Sequence, residues 1–355
     1  MYDLMIVGGG PAGATLARLL GNKYNILLLE KRDYTKNHLP SNQKCCGGLI
    51  APDAQKMLAT LGLGIPKSIL IDPQIFAVRT IDIQNMIERF YQRNYLNIDR
   101  EKFNYWLLSL IPENVDIGTG CKYHSHRNEK GYLTVKFLYR NKEFTEKTKI
   151  LIGADGGYSK IRREGFSHHQ MPKKYVAIQE WFENKEDMPY YGAIFDREIT
   201  DFYSWTIPKE NHIILGTAIE MSQTTKGKFH LLKEKLKTHG FHFGKGIRKN
   251  SSILLRPVST KQLCIGNSHI ALIGEAAGFI SPSSAEGISY ALKSALQLAK
   301  ALKVDLEGFS HRYKKETKSI KRNIYLKNLK CPAMYHAFLR KRIMKSGLKC
   351  LSIYK

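Results

Sequence analysis

The stretch Tyr2-Asp3-Leu4-Met5-Ile6-Val7-Gly8-Gly9-Gly10-Pro11-Ala12-Gly13 decides how the N-terminal part of the chain folds. Its first six residues read as a short buried strand, which the glycines end. The apolar positions Leu16, Leu19 and Leu20 then predict a helix, and Asn25-Ile26-Leu27-Leu28-Leu29-Glu30 predicts a second strand. Strand, glycine loop, helix and strand make a βαβ unit. Gly8-x-Gly10-x-x-Gly13 in that setting, with an acid closing the second strand, is the fingerprint of a dinucleotide site. Gly8 permits the tight turn, Gly10 lets backbone approach a pyrophosphate, and Gly13 lets helix and strand pack closely. The helix start at Pro11 and Ala12 offers N–H groups and a positive dipole end to the phosphates. Glu30 can accept hydrogen bonds from a ribose diol, and Lys31 follows it as a further cofactor-binding candidate.

Length and composition bound the remainder. At roughly 100–200 residues per domain, 355 residues suggest two or three domains. Hydrophobic residues at 43% and charged residues at 25% suit a globular protein with a large core, which excludes disordered and fibrous classes. The six cysteines (Cys45, Cys46, Cys121, Cys264, Cys331, Cys350) show no C-x-x-C pair and are too few for a disulfide framework. No structural zinc site is expected, and a reducing, cytosolic compartment is. No uncharged apolar run reaches the length of about 18 residues that a membrane helix needs, and the N-terminus lacks the pattern of a signal peptide. The net charge of +25 favours anionic partners. It is concentrated at the end: residues 311–355 hold 14 Lys/Arg against the single acid Glu316, which is +13.

The middle of the chain reads differently. Residues 76–83 alternate, and Lys174 to about Arg256 contains alternating stretches between polar turns, as in an antiparallel sheet with one covered face. A second strand-to-helix signal comes late, with Ile270-Ala271-Leu272-Ile273-Gly274 followed by a helix from about Glu286 to Leu302. From about Leu306 onward the chain reads as helical and basic.

Three further segments point to FAD over NAD. Gly153-Ala154-Asp155-Gly156-x-x-Ser159-x-Ile161-Arg162 resembles the DG motif of flavoprotein hydroxylases. Leu272-Ile273-Gly274-Glu275-Ala276-Ala277-Gly278-Phe279 resembles their GD motif. Asn97-Ile98-Asp99-Arg100-Glu101-Lys102-Phe103-Asn104 is similar to the helix start whose arginine faces the flavin. Together with Lys44-Cys45-Cys46-Gly47-Gly48-Leu49 these segments resemble the geranylgeranyl reductase family, which has the p-hydroxybenzoate-hydroxylase fold, and within it the CbrA branch. The resemblance covers nearly the whole chain. It implies bound FAD and reduction of isoprenoid double bonds. It places Cys45, Cys46, Gly47, Arg100, Asp155, Gly274, Glu275, Gly287 and Ile288 at the cofactor, beside the glycine loop.

The expected fold class is therefore α/β: a Rossmann-like FAD-binding domain (1–72, 97–170 and 257–305), an interleaved antiparallel-sheet substrate domain (73–96 and 171–256), and a basic helical C-terminal segment (306–355). This chain departs from the family in carrying Glu275 and Asn104 where aspartates are usual. The family's cavity-lining box appears as Thr200-Asp201-Phe202-Tyr203-Ser204-Trp205-Thr206-Ile207-Pro208, so substrate shape is the property most open to change.

Reducing a C=C bond takes a hydride and a proton. Cys46, Tyr203 and Trp205 are the catalytic candidates: Cys46 because the matching family cysteine lies beside the flavin ring, Tyr203 and Trp205 because alternation puts them on one strand face. Plain loop packing for Cys46 and plain core packing for the aromatic pair are the competing readings. His124-x-His126 and His168-His169 lack a third ligand and read as exposed histidines, so no metal is expected.

The tail has two readings as well. Tyr335, Phe338, Leu339 and Ile343, with Arg340, Lys341 and Lys345 nearby, suit either an anionic membrane surface or a solvated helix packed on the body. No nucleic-acid reader is visible. The expected activity is FAD-dependent reduction of a hydrophobic, polyprenyl-type and optionally phosphorylated substrate. An external donor, NAD(P)H or a redox protein, would supply the electrons. The expected place is the cytoplasm, with the inner face of the cell membrane as the alternative for the tail. The rivals are a monooxygenase or halogenase on the same fold, or a non-enzymatic flavin- and lipid-binding protein.

Overall fold

A computed structural model describes residues 1–34, 45–184, 188–221 and 224–354. Lys44 of the cysteine–glycine stretch lies outside the described residues. In chain order the elements begin with β1 (Tyr2–Val7), α1 (Pro11–Leu20), β2 (Ile26–Glu30), β3 (Leu49–Ile50), α2 (Pro52–Thr60), β4 (Ile75–Asp82), β5 (Ile87–Asn97) and α3 (Arg100–Ser109). They continue with β6 (Asp116–Thr119), β7 (Cys121–Glu129), β8 (Tyr132–Tyr139), β9 (Lys142–Gly153), α4 (Lys160–Gly165), β10 (Lys173–Glu183), β11 (Tyr190–Phe195), β12 (Ser204–Lys209) and β13 (His212–Glu220). The last are α5 (Thr225–Lys237), β14 (Gly246–Arg256), β15 (Ile270–Leu272), α6 (Ile288–Val304), α7 (Phe309–Glu316), α8 (Lys318–Tyr335), α9 (Ala337–Lys345) and β16 (Cys350–Leu351).

The chain gathers into two units. The first holds Met1–Asn42, Lys102–Lys173 and Leu255–Lys327, and the second holds Gln43–Glu101, Lys174–Leu254 and Asn328–Lys355. Residues 45–72 and 97–101, assigned from the sequence to the FAD-binding part, fall in the second unit. The reason is backbone pairing: Leu49 lies opposite Asn97, and the Ile71 N–H donates to the Asn97 carbonyl at 2.9 Å. The tail is not a segment of its own either, because the division falls inside α8.

The first unit is built on a sheet of order β6-β2-β1-β9-β8-β7, with β15 beside β9. β6, β2, β1, β9 and β15 pair in parallel, and β7–β8–β9 form an antiparallel extension. Leu4, Met5 and Ile6 are fully buried, as a parallel strand covered on both faces requires. α6 packs on α1. Ile320 and Ile324 of α8 join the core of Met5, Leu29, Leu151 and Leu272, and the Tyr313 hydroxyl donates to the Leu272 carbonyl at 3.0 Å. The first half of the basic tail is thus core structure, and cutting the chain after Ser310 would remove it.

The second unit is a sheet of order β14-β10-β13-β12-β11-β4-β5-β16, with β3 on β5. Among its described pairings β4–β11 is parallel and the central ones are antiparallel. The sequence pattern implies one covered face, but every residue of β12 is buried and β13 is buried along most of its length. Both faces of the sheet centre are covered. Phe229, Leu232 and Leu236 of α5 complete a core with Ile178, Phe182, Ile213 and Leu215.

Candidate functional site

In the first unit the glycine loop is held by close approaches that leave no room for side chains. Gly8 has φ +110°, and a Cβ there would lie 2.4 Å from the Ala154 carbonyl oxygen. A Cβ on Gly13 would lie 1.9 Å from the Gly8 carbonyl oxygen. Gly10, in contrast, meets nothing within 4 Å among the described residues, so a phosphate can come against backbone there. Pro11 opens α1, so the fixed φ of proline suits the first turn, whose N–H groups have no intrahelical acceptors. Glu30 is buried at the end of β2; its carboxylate accepts from the Gly9 N–H at 2.6 Å and the Arg32 N–H at 3.0 Å. A carboxylate has lone-pair sites left for a ribose diol. Lys31 is exposed beside it.

The two later motifs close on this loop. A Cβ on Gly8 would also lie 3.1 Å from the Asp155 backbone nitrogen, and one on Gly274 would lie 3.1 Å from the Ala12 Cβ. Gly157 sits against Glu275, with the Oε1 atom 2.7 Å from where a Cβ would stand. Asp155 Oδ2 accepts from the Lys160 N–H at 2.8 Å. Burial pushes the Asp155 carboxyl above its ordinary range, against the N–H donors that pull it down. Asp155 Oδ1 and Glu275 Oε1 are both shut off from solvent, with no hydrogen-bond partner among the described residues. Buried carboxylate oxygens rarely stand unpaired, and both of these could accept from a polar ligand. Gly287 caps α6 and Ile288 begins it, with the Gly287 carbonyl accepting from the Ala291 N–H. Gly8, Ala12, Gly13, Asp155, Gly274 and Glu275 are therefore gathered at one place, and the extra methylene of Glu275 is accommodated against Gly157.

The second unit gathers the other candidates. Arg100 donates from Nη1 to Cys46 Sγ at 3.5 Å, and Cys45 Sγ lies 3.5 Å from Gln179 Oε1. A Cβ on Gly47 would lie 2.3 Å from Ile207 Cδ1, so the cysteine–glycine loop is seated directly on β12. That strand also carries Trp205, whose indole occupies the space above Gly216. Tyr203 precedes the strand with its ring 5.6 Å from that of Trp205. Tyr203 and Trp205 are both buried, and the Tyr191 hydroxyl donates to the Tyr203 hydroxyl at 3.3 Å. Burial holds both Tyr191 and Tyr203 well above the ordinary tyrosine range; neighbouring tyrosines add to the shift of Tyr191, while the hydrogen bond from Tyr191 partly offsets that of Tyr203, and both keep their protons.

Comparison with known proteins places the chain in a family and a fold. Residues 6–45 match the family described as an NAD(P)-binding Rossmann-like domain. Over 349 residues, 98% of the chain, it is 39% identical to the protein CbrA of Escherichia coli O6:H1, covering 94% of that protein. It is likewise 39% identical to CbrA of Shigella sonnei, covering 97%. The chain belongs to the CbrA family. Among solved structures, the CbrA-family fold is similar to a geranylgeranyl bacteriochlorophyll reductase-like protein from Thermoplasma acidophilum (TM-score 0.81, 21% identity, 97% of this chain and 90% of that one). It is also similar to the flavin-dependent halogenase CmlS (TM-score 0.72, 15% identity, 96% and 67%). A third is PqsL of Pseudomonas aeruginosa, a probable FAD-dependent monooxygenase (TM-score 0.69, 14% identity, 98% and 99%). The fold is the one that FAD-dependent oxidoreductases, monooxygenases and halogenases share.

One residue of this CbrA-family chain escapes the sequence reading. Lys209, at the end of β12, is 3% exposed, and its ammonium donates to the Ile98 carbonyl at 2.8 Å and the Gly48 carbonyl at 3.1 Å. Burial brings its pKa down to about 7, opposed by the charges of Cys46, Asp99 and Glu210. It ties the cysteine–glycine loop to the segment leading into Arg100. The available signal was a lysine closing an apolar strand directly after Ile207-Pro208. His126 also departs from expectation: it is half-buried and hydrogen-bonded to the Tyr123 hydroxyl at 2.6 Å, and burial lowers its pKa.

Replacing Glu30 with glutamine keeps the shape but removes the charge from the carboxylate that the fingerprint predicts will meet a ribose. Charge-assisted bonds of this type contribute about 1.5–3 kcal/mol, so flavin affinity should fall roughly ten- to hundredfold. Flavin retained on gel filtration at low protein concentration measures this. A variant that holds flavin as the parent does would remove Glu30 from the site.

Proposed function

We propose that this protein is an FAD-dependent oxidoreductase of the reductase type, which saturates C=C bonds in a hydrophobic, polyprenyl-type substrate. The observation that carries the cofactor is the pair of unpartnered buried oxygens on Asp155 and Glu275, set against the Gly8–Gly13 loop. In this reading the first turn of α1 holds the pyrophosphate, Glu30 holds the adenosine ribose, and Asp155 and Glu275 accept from the hydroxyls and N–H groups that remain. FAD supplies, when bound, an electron pair deliverable as hydride. The electrons come from an external donor, NAD(P)H or a redox protein.

The chain's own residues would supply the proton and the shape. Arg100 faces the Cys46 sulfur, and a cation there favours thiolate over thiol, which suits Cys46 for tuning the site more than for donating. Tyr203 keeps its proton and is the better donor to the second carbon. Tyr203→Phe should leave flavin content unchanged and slow substrate-driven oxidation about a hundredfold, the low end of general-acid effects. An unchanged single-turnover rate would return Tyr203 to core packing.

The reductase reading rests on the motif resemblance and on the agreement in fold and length with the reductase-like protein. The deciding experiment is anaerobic reoxidation of the reduced protein against a panel of polyprenyl phosphates, with mass spectrometry for a gain of two hydrogens. Stoichiometric oxygen uptake driven by substrate would favour a monooxygenase, and no acceleration by any lipid would favour a binding protein.

A further inference from the structure

The tail that the sequence shows as one apolar and basic stripe is divided by the fold. Tyr335 turns inward, its ring 5.3 Å from Phe202 and 5.9 Å from Phe195. Arg340 also turns inward, forming a two-bond ion pair with Asp82 at 2.7 and 3.0 Å, with Asp82 fully buried. α9 is fixed to the β4–β5 hairpin at two more points. Asn85 Nδ2 donates to the Ala337 carbonyl at 3.2 Å, and Arg89 Nε donates to the Met344 carbonyl at 3.0 Å. With Arg340 and Met344 inward, one turn apart, the rest of the helix faces out.

The outward face has a definite chemistry. Phe338, Leu339 and Ile343 are 54%, 41% and 45% exposed, and Met86, next to Asn85 in the hairpin turn, is 91% exposed. Lys341, Arg342 and Lys345 are exposed among them, and the Arg342 guanidinium lies 4.6 Å from the Phe338 ring centroid. Residues 336–354 contain five Lys/Arg and no acid. The acids of the hairpin below are engaged, Asp82 with Arg340 and Glu88 with Arg79.

We propose that this face, α9 together with the β4–β5 turn, is a docking surface for an anionic lipid bilayer. Exposed apolar side chains framed by cations, on a helix too short to span, are what an interfacial helix presents to headgroups and upper acyl chains. Phe338, Leu339 and Ile343 enter the acyl boundary while Lys341, Arg342 and Lys345 keep their charged ends at the phosphates. Nucleic acid would use the charges but leave the apolar residues in water, and a second copy of this chain would set like charges against each other. The buried Arg340–Asp82 pair holds the face in place before it meets a membrane.

The test is co-sedimentation of the full chain with vesicles of phosphatidylcholine alone or with phosphatidylglycerol added. Binding to the mixed vesicles only, falling as salt rises, is the expected result. Each cation near an anionic surface contributes about fivefold, so Lys341→Glu/Arg342→Glu/Lys345→Glu should weaken partitioning about a hundredfold or more. Phe338→Ser/Leu339→Ser/Ile343→Ser should remove the salt-resistant share. Neither set touches Arg340 or Met344, so melting temperatures should match the parent and separate lost binding from lost folding. Three results overturn the proposal: no binding to mixed vesicles, equal binding by the charge-reversed variant, or a solution dimer that the serine variant dissociates. Duplex DNA binding that survives the serine substitutions while vesicle binding is absent would assign the charges to nucleic acid instead.

Discussion

Replacing Lys209 with methionine will remove a pH-dependent part of the stability on the order of 5 kcal/mol. The side chain is buried, and its pKa falls from 10.5 to about 7 in the folded chain. Between those values the unfolded chain binds the extra proton, so stability rises as pH climbs from 7 towards 10.5 and is lost as pH falls through 7. Methionine has a similar length and no charge, so the difference between parent and variant isolates this contribution. Urea midpoints from pH 6 to pH 10 should rise for the parent relative to Lys209→Met. Parallel midpoints would mean that water reaches the ammonium. The same variant removes a positive charge near Cys46 and both bonds from Lys209 to the Gly48 and Ile98 carbonyls. Cys46 should therefore react more slowly with thiol reagents at neutral pH, which a stability change alone does not produce.

Breaking the Arg340–Asp82 pair is the second large effect. With Arg340 at 6% and Asp82 at 0% exposure, Arg340→Met leaves a buried carboxylate without its cation. Losses of this type run to about 3–5 kcal/mol, most of it the cost of the stranded charge. The double variant Arg340→Met/Asp82→Leu should recover a large part, because two well-packed apolar residues replace a pair whose attraction barely exceeds its desolvation. Recovery stays incomplete, since Asp82 also accepts from the Asn85 side chain at 2.7 Å. A single variant with an unchanged urea midpoint would show that solvent enters the pair. If α9 docks on a membrane, Arg340→Met should also weaken vesicle binding by letting the helix fray from the hairpin.

What the chain reveals without its fold is the dinucleotide half. Gly8, Gly10, Gly13 and Glu30 act through a turn, a helix start and a strand end that are neighbours in sequence, so their spacing carries the geometry. Asp155 and Glu275 were legible only through the resemblance of their segments to the DG and GD motifs, which follow the ends of β9 and β15. The local signal was weaker for β6–β8: the sequence reading set residues 97–170 in the FAD-binding part but named no strands between 116 and 139, because an antiparallel extension on a parallel sheet has no marker of its own.

The buried cations lie beyond such reading. Lys209 reaches carbonyls 161 and 111 residues away, and Arg340 reaches an aspartate 258 residues away. Helical periodicity alone sets Arg340 beside Lys341 and Arg342 as one more surface cation. Only the β4–β5 hairpin, by bringing Asp82 under α9, turns it inward and leaves its neighbours outside. Local sequence determines which residues can share a face. Which buried polar group is satisfied, and so which face is free to meet a partner, depends on contacts that exist only once distant strands have paired.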